Sequence, residues 1–204
     1  MRVLDADEPG ALGAAVSALR AGLVVVVPTD TVYGIAADPF RPGANDRLFA
    51  AKDRPRHVQL PVLVAGPEQA GELAEVGEGA RALMARFWPG ALTIVLLRRP
   101  GAVVDLGGDD ATVGVRCPDH AVPRRLCAEV GPLAATSANR HGGATPATAR
   151  EVAELLGDTV DVVLDGGPCR GAPSTVVDCT TPEVRLLREG GLPLDAVVAE
   201  LRSS

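Results

Sequence analysis

Six stretches of the chain concentrate the side chains able to do chemistry. Residues 28–34 (PTDTVYG) bring together Thr29, Asp30, Thr31 and the single tyrosine, Tyr33. They follow a β-branched apolar run, the position at which open α/β sheets carry ligands. The same residues would also make an ordinary turn capped by Asp30 or Thr31. Residues 52–55 (KDRP) set a lysine and an arginine two apart. Pro55 disfavours helical geometry at Arg54, and in an extended chain residues two apart point the same way. Lys52 and Arg54 then present a point charge and a planar fork to one anion, an arrangement suited to a polyphosphate; a solvated basic turn has the same composition.

Residues 112–116 (TVGVR) end an apolar strand in Arg116, whose natural partner is a carboxylate unless it lies on the surface. Residues 134–139 (AATSAN) run a buried strand into Ser137 and Asn139, with Gly142 and Gly143 following. A hydroxyl and an amide beside glycines can hydrogen-bond phosphate or ribose oxygens, or simply form a polar turn. Residues 173–178 (PSTVVD) and 187–190 (LREG) read as neighbouring strands bearing Ser174 and Arg188. No Ser-His-Asp or Cys-His constellation is present, so no covalent enzyme intermediate is expected. Cys117, Cys127, Cys169 and Cys179 include no C-x-x-C pair, and the three histidines are scattered. This argues for buried thiols in a reducing cytosol rather than a zinc site.

The elements that must position these side chains follow from periodicity and punctuation. Helices are expected at 11–21, 44–52, 67–76, 78–87, 121–130, 147–156 and 193–202. Strands are expected at 23–27, 60–64, 91–97, 113–116, 133–136, 160–164, 175–178 and 184–187. Residues 29–34 are expected as a loop, and Pro61 argues for an edge strand or an irregular start. The order is neither strict βαβ alternation nor an all-β run. It predicts an α/β or α+β domain over residues 1–204, with a twisted mixed sheet of seven or eight strands flanked by helices.

Composition limits the function. With 204 residues, 47% hydrophobic and 23% charged, the chain can bury a sizeable core. Aromatics are only 2% and the net charge is -6, which argues against base-stacking platforms and against binding long nucleic acid by charge alone. No apolar run reaches membrane-spanning length and the first ten residues carry no secretory pattern, so a cytoplasmic protein is expected.

Taken together, PTDTVYG, KDRP, FWPGALTIVL, TVGVRCPDH, ATSAN, PSTVVD and LREG resemble, in order and approximate spacing, the YrdC-like threonylcarbamoyl-AMP synthase family, over residues 10–190 and in its short bacterial form. The resemblance implies a fold with a large concave, positively lined cavity. It implies a reaction in which L-threonine, bicarbonate and ATP, with Mg2+ arriving on the ATP, give threonylcarbamoyl-AMP and pyrophosphate. It also implies a downstream complex that transfers the threonylcarbamoyl group to tRNA, and weak RNA binding. Carried over by motif, Lys52 and Arg54 are implied as the catalytic, phosphate-binding cations. Thr112, Ser137, Asn139, Thr145 and Arg188 are further implied at ATP, and Thr31, Arg116 and Ser174 at threonine; the sequence itself shows no dedicated carboxylate cage for a metal. Three positions depart from the family pattern: Leu63 where many relatives have a threonine-contacting histidine, His141 where many have serine, and Asp53 between the two cations. Two alternatives stay open, a carbamoyl-adenylate-forming or uncharacterised relative and a module binding double-stranded RNA or tRNA.

Overall fold

The structure is a computed structural model that describes residues 1–102, 104–140 and 142–203, without the side chains of Arg202 and Ser203. His141 therefore lies outside the described residues. The chain runs β1 (Arg2–Asp5), α1 (Ala11–Arg20), β2 (Val25–Val27), β3 (Gly34–Ala37), α2 (Ala44–Ala51), β4 (Val62–Leu63), α3 (Pro67–Leu73), α4 (Glu78–Phe87), β5 (Leu92–Leu97), β6 (Thr112–Arg116), α5 (Ala121–Val130), β7 (Leu133–Ser137), α6 (Ala149–Leu156), β8 (Val162–Asp165), β9 (Thr175–Asp178), β10 (Arg185–Arg188) and α7 (Leu194–Ser203).

The strands form one mixed sheet in the order β1-β8-β2-β3-β7-β4-β6-β5-β9-β10. Ten strands replace the expected seven or eight, because two escape sequence pattern. In β1 the ends are charged and every residue keeps some exposure; it is held at the sheet edge by parallel pairing with β8. In β3 the sequence is Gly-Ile-Ala-Ala, poor in β-formers, yet it is fully buried between antiparallel partners β2 and β7. Tertiary pairing overrides weak propensity there. The β4 strand lies in the sheet interior, not at an edge, but is cut to two residues by Pro61. Proline donates no ladder bond; its carbonyl still accepts from the Ala135 amide at 2.9 Å.

Alternation sorts the strands into two faces. One face contributes Val26, Ile35, Val62, Val115, Ile94 and Val177 to a large core shared with Leu48 and Phe49 of α2, Leu83 and Met84 of α4, Val152 of α6 and Val197 of α7. The opposite face is covered at one end only, where Val25, Val27, Ala36, Leu133 and Ala135 pack on Ala15, Val16 and Leu19 of α1 and Leu126 of α5. Past β4, whose Leu63 still packs against Leu126 and Cys127 of α5, that second face carries no such helix layer among the described residues, which leaves a hollow over β6, β5 and β9 with β4 at its margin. Among the described residues no helix is long and apolar enough to cross a membrane.

Candidate active site

The hollow is a cavity of about 370 Å³. Its floor is the uncovered face of the sheet read at every second residue: Pro61 and Leu63, Gly114 and Arg116, Thr93 and Val95, Ser174 and Val176. The expected concave cavity is therefore produced by a helix layer that covers only part of one face. Arg54, Ser137, Thr31 and Arg188 complete the walls.

At one end, Lys52 and Arg54 leave α2 through a helix-terminating turn rather than an extended segment. The Arg54 amide donates to Phe49 O (3.0 Å) and the Asp53 amide to Ala50 O (3.2 Å), while Asp53 takes a left-handed φ of 51°. This is the double-bonded cap usually reserved for glycine. The turn sends the Asp53 carboxylate outward to Arg140 (3.0 Å), away from the two cations it separates in sequence. Arg54 is held by Val58 O (2.9 Å) and Gln59 O (2.8 Å). Lys52, 2% exposed, stands behind the wall. Its ammonium donates to the Ser137 carbonyl, to Ser137 Oγ and Asn139 Oδ1 (both 3.2 Å) and to Thr136 Oγ1 (3.4 Å). Asn139 in turn donates to the carbonyls of Arg140 and Gly143. Burial, with the Arg54 charge second, lowers the Lys52 pKa to about 8.

At the other end, Arg116 is 7% exposed. It donates from Nε to Gly90 O (3.0 Å), from Nη1 to Thr31 Oγ1 (2.8 Å) and from Nη2 to Asp30 Oδ1 (2.6 Å). Burial works against its charge, and Asp30 works for it. Ser174 Oγ bonds Thr93 Oγ1 (2.8 Å), and Arg188 caps the Ser174 carbonyl from Nη2 (2.8 Å). Two glycines let these pieces approach. A Cβ on Gly171 would stand 2.8 Å from the Thr31 backbone, and one on Gly190 would stand 2.1 Å from Pro173 O.

The fold thus brings Thr31, Arg54, Arg116, Ser137, Ser174 and Arg188 to one cavity, with Lys52 and Asn139 hydrogen-bonded behind Ser137. Thr112 and Thr145 do not line it. Thr112 begins β6, at the opposite end from Arg116, and offers its carbonyl to Gln59 Nε2 (2.8 Å). Thr145 lies in the loop before α6. Sequence reasoning missed Thr93 and Gln59, which do line the cavity. Thr93 sits at an inward-facing position of β5 within the FWPGALTIVL motif, and that alternation was the signal for it. Leu63 lies on the floor in register with Arg116. Tyr33 is fully buried and donates its hydroxyl to Gly167 O (2.7 Å), so it packs the core. The four cysteines are free thiols. Among the described residues no cluster of His, Cys, Asp or Glu gathers as a metal site would require.

Comparison with known proteins identifies the family. The sequence model of the Sua5/YciO/YrdC family, described as telomere recombination, matches residues 17–190. A Mycobacterium tuberculosis protein bearing the provisional name threonylcarbamoyl-AMP synthase is 43% identical over 189 residues, covering 92% of this chain and 87% of its own. The threonylcarbamoyl-AMP synthase of Vibrio vulnificus is 36% identical, covering 86% of this chain and 96% of its own. The crystal structure of Pyrococcus abyssi Sua5 complexed with L-threonine superposes with a TM-score of 0.92 at 37% identity, over 98% of this chain; this chain spans 61% of that longer one. The chain belongs to the Sua5/YciO/YrdC family.

Proposed function

We propose that the protein is an L-threonylcarbamoyladenylate synthase, converting L-threonine, bicarbonate and ATP to threonylcarbamoyl-AMP and pyrophosphate in the cytoplasm. The observation that carries this is the charge left unmatched around the cavity. Lys52, Arg54 and Arg188 hydrogen-bond only carbonyl, hydroxyl and amide oxygens, and among the described residues none of the three makes an ion pair. An acidic protein that gathers three unneutralised cations at one hollow is arranged for a polyanion of triphosphate size. Arg116, next to the Thr31 and Ser174 hydroxyls, suits the carboxylate and hydroxyl of the amino acid. The Sua5 relative crystallised with L-threonine supports that assignment.

In this account the threonine amine takes up bicarbonate as a carbamate with loss of water. A carbamate oxygen then attacks the α-phosphorus, and pyrophosphate leaves. The protein supplies alignment, which can contribute roughly 7–11 kcal/mol, and fixed positive charge where charge builds on phosphorus and the leaving group. Lys52 and Arg54 have this role, while Ser137 and Asn139 orient Lys52. Mg2+ enters with ATP, held by its phosphates and water. The product is an activated acyl-adenylate for a tRNA threonylcarbamoyl-transferase complex.

Mass spectrometry of products from protein, ATP, bicarbonate and L-threonine tests this. Threonylcarbamoyl-AMP is expected only when threonine is present. Pyrophosphate release that ignores threonine would refute the proposal and favour carbamoyl-adenylate chemistry.

A further inference from the structure

We propose that Asp30 is a positioning residue for amino-acid recognition, acting on the substrate through Arg116; this rests on the cavity being the threonine and ATP site. Thr29, Thr31 and Val32 all face the cavity, but Asp30 between them does not. Its carboxylate turns behind the wall and makes the only ion pair of Arg116 among the described residues, with side-chain exposures of 17% and 8%.

Three of the five guanidinium N–H groups are committed: Nε to Gly90, one on Nη1 to Thr31 and one on Nη2 to Asp30. One N–H on each terminal nitrogen remains for a ligand in the cavity that Arg116 lines, and a carboxylate is the group that a guanidinium binds through two such donors. A neutral carbonyl, a hydroxyl and an anion thus fix the plane of the fork from three directions before substrate arrives. Asp30 supplies both the shortest of the three contacts and, among the described residues, the only counter-charge within ion-pair distance. A largely buried cation that loses its partner turns toward water or another anion. Without Asp30, Arg116 would keep its charge but lose its aim. The loss should appear in the binding of the amino-acid carboxylate and not at the triphosphate end, where Lys52 and Arg54 are anchored on separate carbonyls.

The experiment is steady-state pyrophosphate release with threonine varied at saturating ATP and bicarbonate, in wild type, Asp30→Asn, Asp30→Ala, Arg116→Ala and the double variant Asp30→Asn/Arg116→Ala. Nucleotide binding by each variant is measured alongside by calorimetry. Asp30→Asn keeps the shape and removes the charge. It should raise the threonine KM about 10- to 100-fold with kcat within about 3-fold, and leave nucleotide affinity within about 2-fold. In the Arg116→Ala background the same change should add less than about 2-fold, since Asp30 works only through Arg116. An unchanged threonine KM in Asp30→Asn overturns the proposal. So does an equal loss of nucleotide affinity, or of folding, in Asp30→Asn, which would make the residue merely structural. If wild type shows no threonine-dependent release, the proposed function fails and this inference with it; an active wild type with an indifferent Asp30→Asn sinks this inference alone.

Discussion

Lys52 offers the sharpest quantitative test of the site. It is 2% exposed and surrounded by neutral oxygens, and its pKa is lowered to about 8 from an ordinary 10.5 by burial and then by Arg54. That gap corresponds to about 3 kcal/mol against the charged form. Ligand-free Lys52 should therefore give up its proton at a lower pH than an ordinary lysine does, in the range around pH 8 to 9. A triphosphate brought against Ser137 supplies the missing counter-charge and restores the proton. Nucleotide binding should therefore take up a fraction of a proton, larger at pH 9 than at pH 8, which is read from titration calorimetry in buffers of different ionisation enthalpy. Lys52→Met should abolish the uptake. The sign for stability follows from the same lowering. Below pH 8 both folded and unfolded chains hold the proton and the full burial cost is present. Between pH 8 and 10.5 the unfolded chain holds more protons, so the ligand-free fold should gain up to about 3 kcal/mol from this group as pH rises. Uptake near zero at both pH values, or equal uptake in Lys52→Met, would refute the assignment of Lys52 to the phosphates.

Arg54→Ala should cut threonine-dependent pyrophosphate release by about 100-fold or more while the circular dichroism spectrum is retained; near-normal activity would remove Arg54 from the mechanism. Gly190→Ala must push the Pro173–Ser174 backbone aside, since its Cβ would sit 2.5 Å from the Ser174 carbonyl carbon. Urea unfolding should register a loss of about 1–3 kcal/mol, together with a higher threonine KM. Tyr33→Phe removes a hydroxyl that donates to Gly167 O and accepts from the Gly166 amide. It should cost about 1–2 kcal/mol in thermal or urea unfolding and leave kcat within about 2-fold; a tenfold fall in kcat would mean that Tyr33 does more than pack.

Much of this molecule could be read from its sequence because local pattern and final environment agree. The run Leu92–Leu97 alternates as a strand with one face in the core and one in the cavity, and α1 repeats apolar residues at helical spacing. What escaped depends on partners distant in sequence. Gly34–Ala37 becomes a strand because Val25–Val27 and Leu133–Ser137 close on it from both sides, which no local window contains. Lys52 and Arg54 do not stand side by side as their spacing suggests: Arg54 lines the cavity and Lys52 is buried behind its wall. An extended chain was expected, whereas a left-handed Asp53 closes the helix and turns its own carboxylate outward. The Asp30–Arg116 pair spans 86 positions, and neither motif alone indicates it. Thr112 and Thr145 came from motif matching, and the cavity does not include them.

A crystal structure with a non-hydrolysable ATP analogue and L-threonine tests the central claim most directly. The account predicts both ligands in the one cavity. The triphosphate should lie against Arg54, Arg188 and the Lys52–Ser137 wall, with the threonine carboxylate on Arg116 and its nitrogen on the side of the α-phosphorus. A nucleotide bound elsewhere, or a threonine remote from the α-phosphorus, would contradict it.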